Sequence, residues 1–199
     1  RMVKGNLVTS HSINRVELKS EGVSTLSGKK IWFDKSIFRL NDENRGNYLG
    51  EFSSDDKILM ICSSGYLELL SYDLSNHFPE DMIFLEKYSP QKTITSIYFH
   101  SDKKIFYIKR FIPSLKLKKT NILHGGKDSY LELVSSDDNF KINLTFTKAR
   151  NKEQRPDLIL NPSELISVKG ITALGNQLSR YSIKSVSTIK EEKHDIIDD

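Results

Sequence analysis

The sequence contains a single cysteine, Cys62, in 199 residues. One thiol excludes a disulfide within the chain. Cys62 lies in the apolar run KILMIC, which predicts a small buried side chain, because no neighbouring residue offers a base that would activate the thiol. This cysteine usage is typical of a protein from a reducing cytoplasm.

Long apolar runs and targeting signals are also missing. No stretch approaches the ~20 apolar residues that a membrane-spanning helix requires. The start of the chain, RMVKGNLVTS, has no apolar core of the kind found in signal peptides. We therefore expect no membrane partner, and because residue 1 is arginine we expect the chain to be an excised piece of a longer protein.

Catalytic motifs are missing as well. The chain contains no G-x-x-x-x-G-K-[ST], no G-x-S-x-G and no H-E-x-x-H. The five histidines are scattered, with no pair at metal-ligand spacing. The SDD triplets (54–56 and 136–138) fit turn chemistry, and HGGK (124–127) lacks the flanking strand and helix of a phosphate loop. An enzyme stays open as an alternative, which a pocket of converged acid, base or metal ligands would favour.

Alanine is scarce, with two residues, whereas serine, isoleucine, tyrosine and phenylalanine are plentiful. This composition favours strands over helices. Three segments share a plan of strand, short polar turn and strand, with turns near 64, 102 and 137. Their spacing of about 35–38 residues predicts the blade-like units of a propeller or pinwheel. Helix is expected only in short connectors, and NPSEL (161–165) is a candidate start of one, with Asn161 as its cap; the segment 147–162 is interpreted as a long basic loop.

Charge is unevenly distributed along the chain. The formal net charge is +4, but residues 191–199 (EEKHDIIDD) carry −4, residues 101–127 carry +7 and residues 51–90 carry −6. A basic block beside an acidic block predicts one polyanion-binding face. The alternative is a solvated lysine-rich surface in a chain of biased composition, with 22 Lys to 8 Arg.

The basic block contains SDKKIFYIKRF (101–111), in which charged ends flank an aromatic centre. The strand of an RNA-recognition module needs glycines that expose its aromatic residues for stacking, and this stretch has none. We therefore predict that Phe106 and Tyr107 belong to the core and that the basic residues reach the ends of the strand. RNA binding stays open as an alternative and predicts a preference for single-stranded RNA.

Several stretches together resemble one family. They are KGNLVT (4–9), VELK (16–19), GVSTLSGKKIWFD (22–34), RGNYLGEF (45–52), YDLSNHF (72–78), YIKRF (107–111), SYLELVSSD (129–137) and VKGITALGNQLS (168–179). Over residues 3–180 the chain resembles the C-terminal domain of the A subunit of bacterial type IIA topoisomerases, DNA gyrase and topoisomerase IV. The form associated with Bacteroidetes bacteria matches best.

The resemblance implies an all-β fold, a β-pinwheel of about four blades that exchange strands with their neighbours. It implies that duplex DNA lies along a basic rim and that the partners are the topoisomerase's A subunit core and its B subunit. The catalytic tyrosine, the metal site and the ATPase belong to those other parts. This domain should therefore have no catalytic residue and no cofactor, while the whole enzyme uses ATP and magnesium in the cytoplasm, at the nucleoid.

One departure from the family pattern affects the expected role. The A subunits of gyrases carry a basic box, Q-R-R-G-G-K-G, linked to DNA wrapping, and this sequence has no such box. The departure favours a topoisomerase IV-like role, in which the domain grips a DNA segment and biases which crossings the enzyme acts on. Gyrase-type wrapping and a propeller that binds proteins remain the alternatives.

We expect residues 1–190 to form the pinwheel and residues 191–199 to form a disordered acidic tail, whose deletion after Lys190 should tighten DNA binding. The proposed DNA contacts are basic side chains. The main ones are Lys103, Lys104, Lys109, Arg110, Lys116, Lys118 and Lys119, and the secondary ones are Arg15, Lys29, Lys30, Arg39, Arg45, Lys148, Arg150, Lys152, Arg155 and Lys169.

Overall fold

The computed structural model describes residues 28–116, 118–148 and 154–189, and every structural statement below concerns these ranges. They form fourteen strands and one short helix. The strands are β1 (Lys29–Asp34), β2 (Arg39–Asn41), β3 (Asn47–Phe52), β4 (Lys57–Cys62), β5 (Tyr66–Ser71), β6 (Met82–Lys87), β7 (Ile94–His100), β8 (Ile105–Phe111), β9 (Thr120–Asn121), β10 (Tyr130–Ser135), β11 (Lys141–Phe146), β12 (Leu158–Leu160), β13 (Asn176–Gln177) and β14 (Ile183–Ile189); the helix is α1 (Pro162–Leu165).

The strands form four small antiparallel sheets, which confirms the all-β prediction. We name them sheet A (order β2-β1-β3), sheet B (β6-β4-β5-β9), sheet C (β10-β7-β8-β13) and sheet D (β12-β11-β14). All four share one plan. The first strand in sequence is central and pairs with the second strand on one side and the third strand on the other.

A further strand reaches sheets B and C from a later part of the chain. β9 follows the β7–β8 hairpin of sheet C, yet it pairs with β5 of sheet B. β13 follows β12 of sheet D and pairs with β8 of sheet C. In sheet A the corresponding contact is short: His77 forms one bridge to Arg39, and the Phe78 N–H donates to the Phe38 carbonyl over 3.0 Å. Successive sheets are thus linked by exchanged segments.

The hydrophobic core lies between successive sheets. Period-2 alternation sends Ile58 and Met60 of β4 towards sheet A, and Leu59 and Ile61 towards sheet C. A third cluster, which includes Ile108 and Ile142, lies between sheets C and D. Each fully buried aliphatic or aromatic side chain contributes about 1.5–3 kcal/mol. The three clusters show that the sheets pack in the order A, B, C, D. The third strands β3, β6, β10 and β14 contact one another in the same order.

The local predictions are confirmed in part. The hairpins expected near 64 and 102 are β4–β5 and β7–β8, and α1 begins after Asn161, whose side chain accepts from the Ser163 N–H over 3.1 Å. The hairpin expected near 137 is wrong, because β10 pairs in sheet C and β11 in sheet D. The expected loop at 147–162 contains β12. No described helix is long or apolar enough to span a bilayer.

Gly175 allows the segment before β13 to lie directly on β8. Its φ is +86°, and a Cβ there would lie 2.5 Å from the Ile108 carbonyl oxygen. We expect Gly175→Ala to lower the free energy of unfolding by more than ~2 kcal/mol, since strain and a backbone clash add. Gly170→Ala is the matched control, because a Cβ at Gly170 meets no atom within 4 Å. Equal stability of the two variants in urea would contradict this packing.

Candidate nucleic-acid interface

Strand β8 carries four of the predicted contacts in or beside it, and it is buried on both faces. Tyr107, Lys109 and Phe111 point towards sheet B, whereas Ile108 points towards sheet D, the same side as Arg110. Tyr107 is 6% exposed and Phe106 packs at the edge of the C–D core, so the prediction that both aromatic side chains belong to the core is confirmed.

Lys109 is fully buried, with 1% of its surface exposed. Its ammonium donates to three backbone carbonyls: that of Ile122, that of Ile171 over 3.1 Å and that of Ala173 over 3.2 Å. An ammonium has three N–H donors, so its hydrogen-bonding capacity is filled. Burial lowers the pKa of Lys109 to about 8. Lys109 thus joins β8 to two exchanged segments, the one that contains β9 and the one that precedes β13.

Arg110 is buried on the opposite face of β8, at the boundary with sheet D. Its Nη1 donates to the Ile166 carbonyl over 3.2 Å, and its Nη2 pairs with the Asp138 carboxylate over 2.5 Å. Asp138 follows β10, and Ile166 follows α1. The guanidinium therefore fastens sheet C to the loops of sheet D.

The prediction that Lys109 and Arg110 supply charge at exposed strand ends is wrong. Strand β8 continues through Phe111, and segments that are distant in sequence cover both side chains. In this conformation neither cation is accessible to a phosphate, and each has a structural set of partners.

Lys103 and Lys104 lie in the β7–β8 turn and are exposed. The Lys103 ammonium donates to the Tyr107 hydroxyl over 3.0 Å and lies 5.3 Å from the centre of that ring. Lys104 adopts a positive φ of 56°, and its N–H donates to the His100 carbonyl over 2.8 Å, which closes a tight turn. The turn thus presents two adjacent cations to solvent.

Three further lysines precede β9. Lys116, Lys118 and Lys119 are exposed, and the Lys119 ammonium lies 5.0 Å from the centre of the Tyr66 ring in sheet B. Downstream of β9, the Ile122 N–H donates to the Gly65 carbonyl over 2.9 Å. The Ser129 hydroxyl then accepts from the Ser101 N–H over 3.1 Å. The segment therefore connects the outer side of the β4–β5 turn with the β7–β8 turn.

Lys127 also lies on this connecting segment, and the set of contacts predicted from the sequence omits it. It is exposed and follows Gly125, which lies against His100 of β7, and Gly126, which lies against Asp102 of the β7–β8 turn. The HGGK motif was the available signal, since paired glycines permit this close approach. We define the lysine edge as the six exposed lysines of the β7–β8 turn and of the segment that runs from Lys116 past β9 to Lys127: Lys103, Lys104, Lys116, Lys118, Lys119 and Lys127.

Ion pairing separates the lysine edge from two of the other predicted contacts. Lys29 pairs with Asp42 and Arg45 pairs with Glu43, both over 2.9 Å. In contrast, no described carboxylate forms an ion pair with a lysine of the lysine edge. Unpaired cations attract a polyanion without first having to release a partner.

The remaining predicted contacts are distributed over sheets A, C and D. Lys30 is exposed opposite Glu51, Arg39 bridges to His77, and the Lys169 ammonium donates to Asn176 of β13 over 3.0 Å. Lys148 is exposed after β11, and the Arg155 guanidinium lies 3.7 Å from the centre of the Tyr181 ring. Arg15, Arg150 and Lys152 lie outside the described residues, as do 1–27 and the acidic tail.

Metal ligands do not cluster in the described part of the chain. Within 28–116, 118–148 and 154–189 no three His, Cys, Asp or Glu side chains are grouped as metal ligands. Burial, with Asp81 nearby, raises the pKa of the Cys62 thiol to about 11, which disfavours a nucleophilic thiolate.

The fold defines a class of all-β domain with small sheets linked by exchanged segments. Residues 39–191 match the family model of the topoisomerase C-terminal domain from Bacteroidota. Since this match covers more than half of the chain, the chain belongs to that family of topoisomerase C-terminal domains. No curated protein and no solved structure matches it.

Proposed function

We propose that this chain is a non-catalytic accessory domain that binds duplex DNA for a topoisomerase. The observation that carries the proposal is the lysine edge, six exposed cations without a carboxylate partner in the described structure, in a member of a topoisomerase domain family. Lysines at this density neutralise phosphates and release counterions, which gives binding with little sequence preference.

The proposed track for DNA follows the outer edges of the sheets. Each exchanged contact has a basic residue beside it: Arg39 in sheet A, Lys119 in sheet B and Lys169 in sheet C. A duplex that follows these edges would meet a cation at each of sheets A, B and C, and the lysine edge would supply the largest group. We further propose that the sheets are blades of a β-pinwheel, which the exchanged segments and the ordered contacts among third strands support.

The finer role we propose is topoisomerase IV-like. The sequence has no Q-R-R-G-G-K-G box, so the domain would grip or bend a DNA segment and bias the topology presented to the strand-passage core. The topoisomerase's A subunit core and its B subunit are the proposed protein partners at the nucleoid. ATP and magnesium would act in those partners, and no described group in this domain fits a metal.

Binding of a fluorescent 20-bp duplex, measured by anisotropy in competition with single-stranded RNA of equal length, tests the proposed function. We expect the duplex to bind and the RNA to compete weakly. Stronger binding of RNA would favour an RNA-binding domain. Absence of binding to either nucleic acid would overturn the proposal and favour a propeller that binds proteins.

Plasmid topology tests the finer role. We expect relaxed plasmid that is incubated with this domain and a nicking-closing enzyme to keep an unchanged linking number, because a gripping domain does not wrap DNA chirally. A ladder of positively supercoiled products would indicate gyrase-type wrapping and would overturn the topoisomerase IV-like assignment.

A further inference from the structure

Sheets A, B and C follow an exchange rule, by which a segment farther along the chain contacts the outer side of the second strand. Among the described residues, sheet D has no such segment. In sheets A, B and C, the second strand receives its outer contact from a segment downstream in the chain, and each contact is antiparallel. In sheet D the second strand is β12, and no described segment pairs with its outer side. By the same rule, the missing segment should lie downstream of β14.

Two features of β12 indicate that another segment covers its outer side. Leu158 is 44% exposed and Ile159 is 59% exposed, and the free side of the strand presents unpaired backbone groups. Proteins seldom leave an apolar edge strand open, because such an edge recruits other strands. The edge therefore fits an extended peptide that adds a strand.

A cavity of about 410 Å³ continues this edge beyond Leu158. Its walls include the side chains of Phe146, Leu158 and Tyr181, and Arg155 and Arg180 flank the Tyr181 ring. Asp157 is the one acid among the lining residues. An apolar slot with two arginines fits a peptide that combines aliphatic side chains with carboxylates.

We propose that the occupant of this edge is the acidic segment of the same chain, residues 190–199. Its sequence, KEEKHDIIDD, contains five acids and an Ile-Ile pair, so it complements an apolar slot flanked by arginines. It is also the chain immediately downstream of β14, where the exchange rule locates the donor. The inference concerns the body of the domain and does not depend on DNA binding.

The direction and the length of the chain agree with this occupant. Ile189, the last residue of β14, pairs with Lys141, next to the Ile142–Leu160 pair. From there, a segment antiparallel to β12 would run towards Leu158 and the cavity. Crossing three inter-strand spacings requires about 14 Å. Ten residues span at most ~35 Å, so enough chain remains after the crossing to pair with the three residues of β12.

Amide hydrogen exchange at β12 in the full chain, recorded by NMR without DNA, tests the inference. One variant reverses the charge of the segment (Asp195→Lys, Asp198→Lys, Asp199→Lys), and another reverses the charge of the two arginines at the cavity (Arg155→Glu, Arg180→Glu). We expect each to accelerate exchange of the free β12 amides at least ten-fold, and their combination to restore the slow rate. Lys35→Glu, an exposed charge reversal in the β1–β2 turn, is the control and should change nothing.

The segment variant leaves every described residue intact, so the test holds even if the cavity variant fails to fold. Equal exchange rates in the wild type and the segment variant would overturn the proposal. Protection that rises with protein concentration would also overturn it, because the occupant would then be a second copy. Because DNA is absent, failure here is distinct from failure of the proposed function.

Discussion

Replacing Lys109 by alanine is expected to lower the free energy of unfolding by about 3–5 kcal/mol. The substitution removes the donor of three carbonyls, of which that of Ile122 is buried and those of Ile171 and Ala173 are partly buried. It also leaves a cavity between sheets B and C, beside the Tyr98 and Phe111 rings. These losses exceed the relief from no longer burying a charge, because the Ile122 carbonyl stays buried without its donor. Urea unfolding followed by far-UV circular dichroism measures the effect.

Two companion variants make the Lys109 result specific. Lys118→Ala removes an exposed lysine from the same basic block and should stay within about 0.5 kcal/mol of the wild type. Lys109→Met keeps most of the volume and removes the donors, so it should fall between the wild type and Lys109→Ala. Wild-type stability in Lys109→Ala would show that the three carbonyl contacts contribute nothing to the fold.

The same lysine should make stability depend on pH in a defined direction. Burial lowers its pKa to about 8 in the folded chain, from the ordinary value of 10.5. Between these values the unfolded chain binds more protons, so the Lys109 contribution to stability rises with pH and is constant below and above. The raised pKa of Cys62 makes stability fall as the pH rises in the alkaline range, which opposes the Lys109 effect. The wild type must therefore be compared with Lys109→Met, in which the Cys62 contribution is unchanged. If the difference in the free energy of unfolding between the wild type and Lys109→Met stays constant from about pH 7.5 to 10, the lowered pKa of Lys109 is contradicted.

The double variant Lys118→Ala/Lys119→Ala is expected to bind duplex DNA about 30-fold more weakly at fixed salt. Each lost phosphate contact costs about 1 kcal/mol, and 1.4 kcal/mol corresponds to a factor of ten. Both side chains are exposed beside β9, so the fold should be retained. Fluorescence anisotropy with a short duplex at constant ionic strength measures the change.

A matched control removes the same charge from other surfaces. Lys35 lies in the β1–β2 turn and Lys184 in β14, and both are exposed. Lys35→Ala/Lys184→Ala should retain affinity within about two-fold, allowing for the small loss of overall attraction. Equal weakening in the two double variants would mean that net charge, and not the lysine edge, determines binding.

Local features of the fold could be predicted from the sequence. Strand-forming composition, the polar turns near 64 and 102 and the Asn161 cap each act within a few residues, so they leave a signal in the sequence. Exchange between sheets leaves none, because β10 and β11 have the alternation of a hairpin and yet pair in different sheets. Similarly, YLEL forms β5 in one copy and β10 in the other, which hold different positions in their sheets.

The burial of Lys109 and Arg110 shows where charge patterns mislead. Both residues belong to a run that looks like the charged end of a strand. Their partners, the carbonyls of Ile122, Ile171 and Ile166, come from loops that no local pattern connects to β8. The unpaired lysines beside β9 could be predicted, since exposed loop lysines need no tertiary partner.

The salt dependence of duplex binding tests the central claim most directly. For the wild type and the Lys118→Ala/Lys119→Ala variant, log affinity is plotted against log salt concentration. The proposed function predicts a steep negative slope for the wild type and a slope shallower by about 1.8 for the variant, since each phosphate contact contributes about 0.9. Identical slopes, or a wild-type affinity that does not change with salt, would contradict a DNA-binding role for the lysine edge.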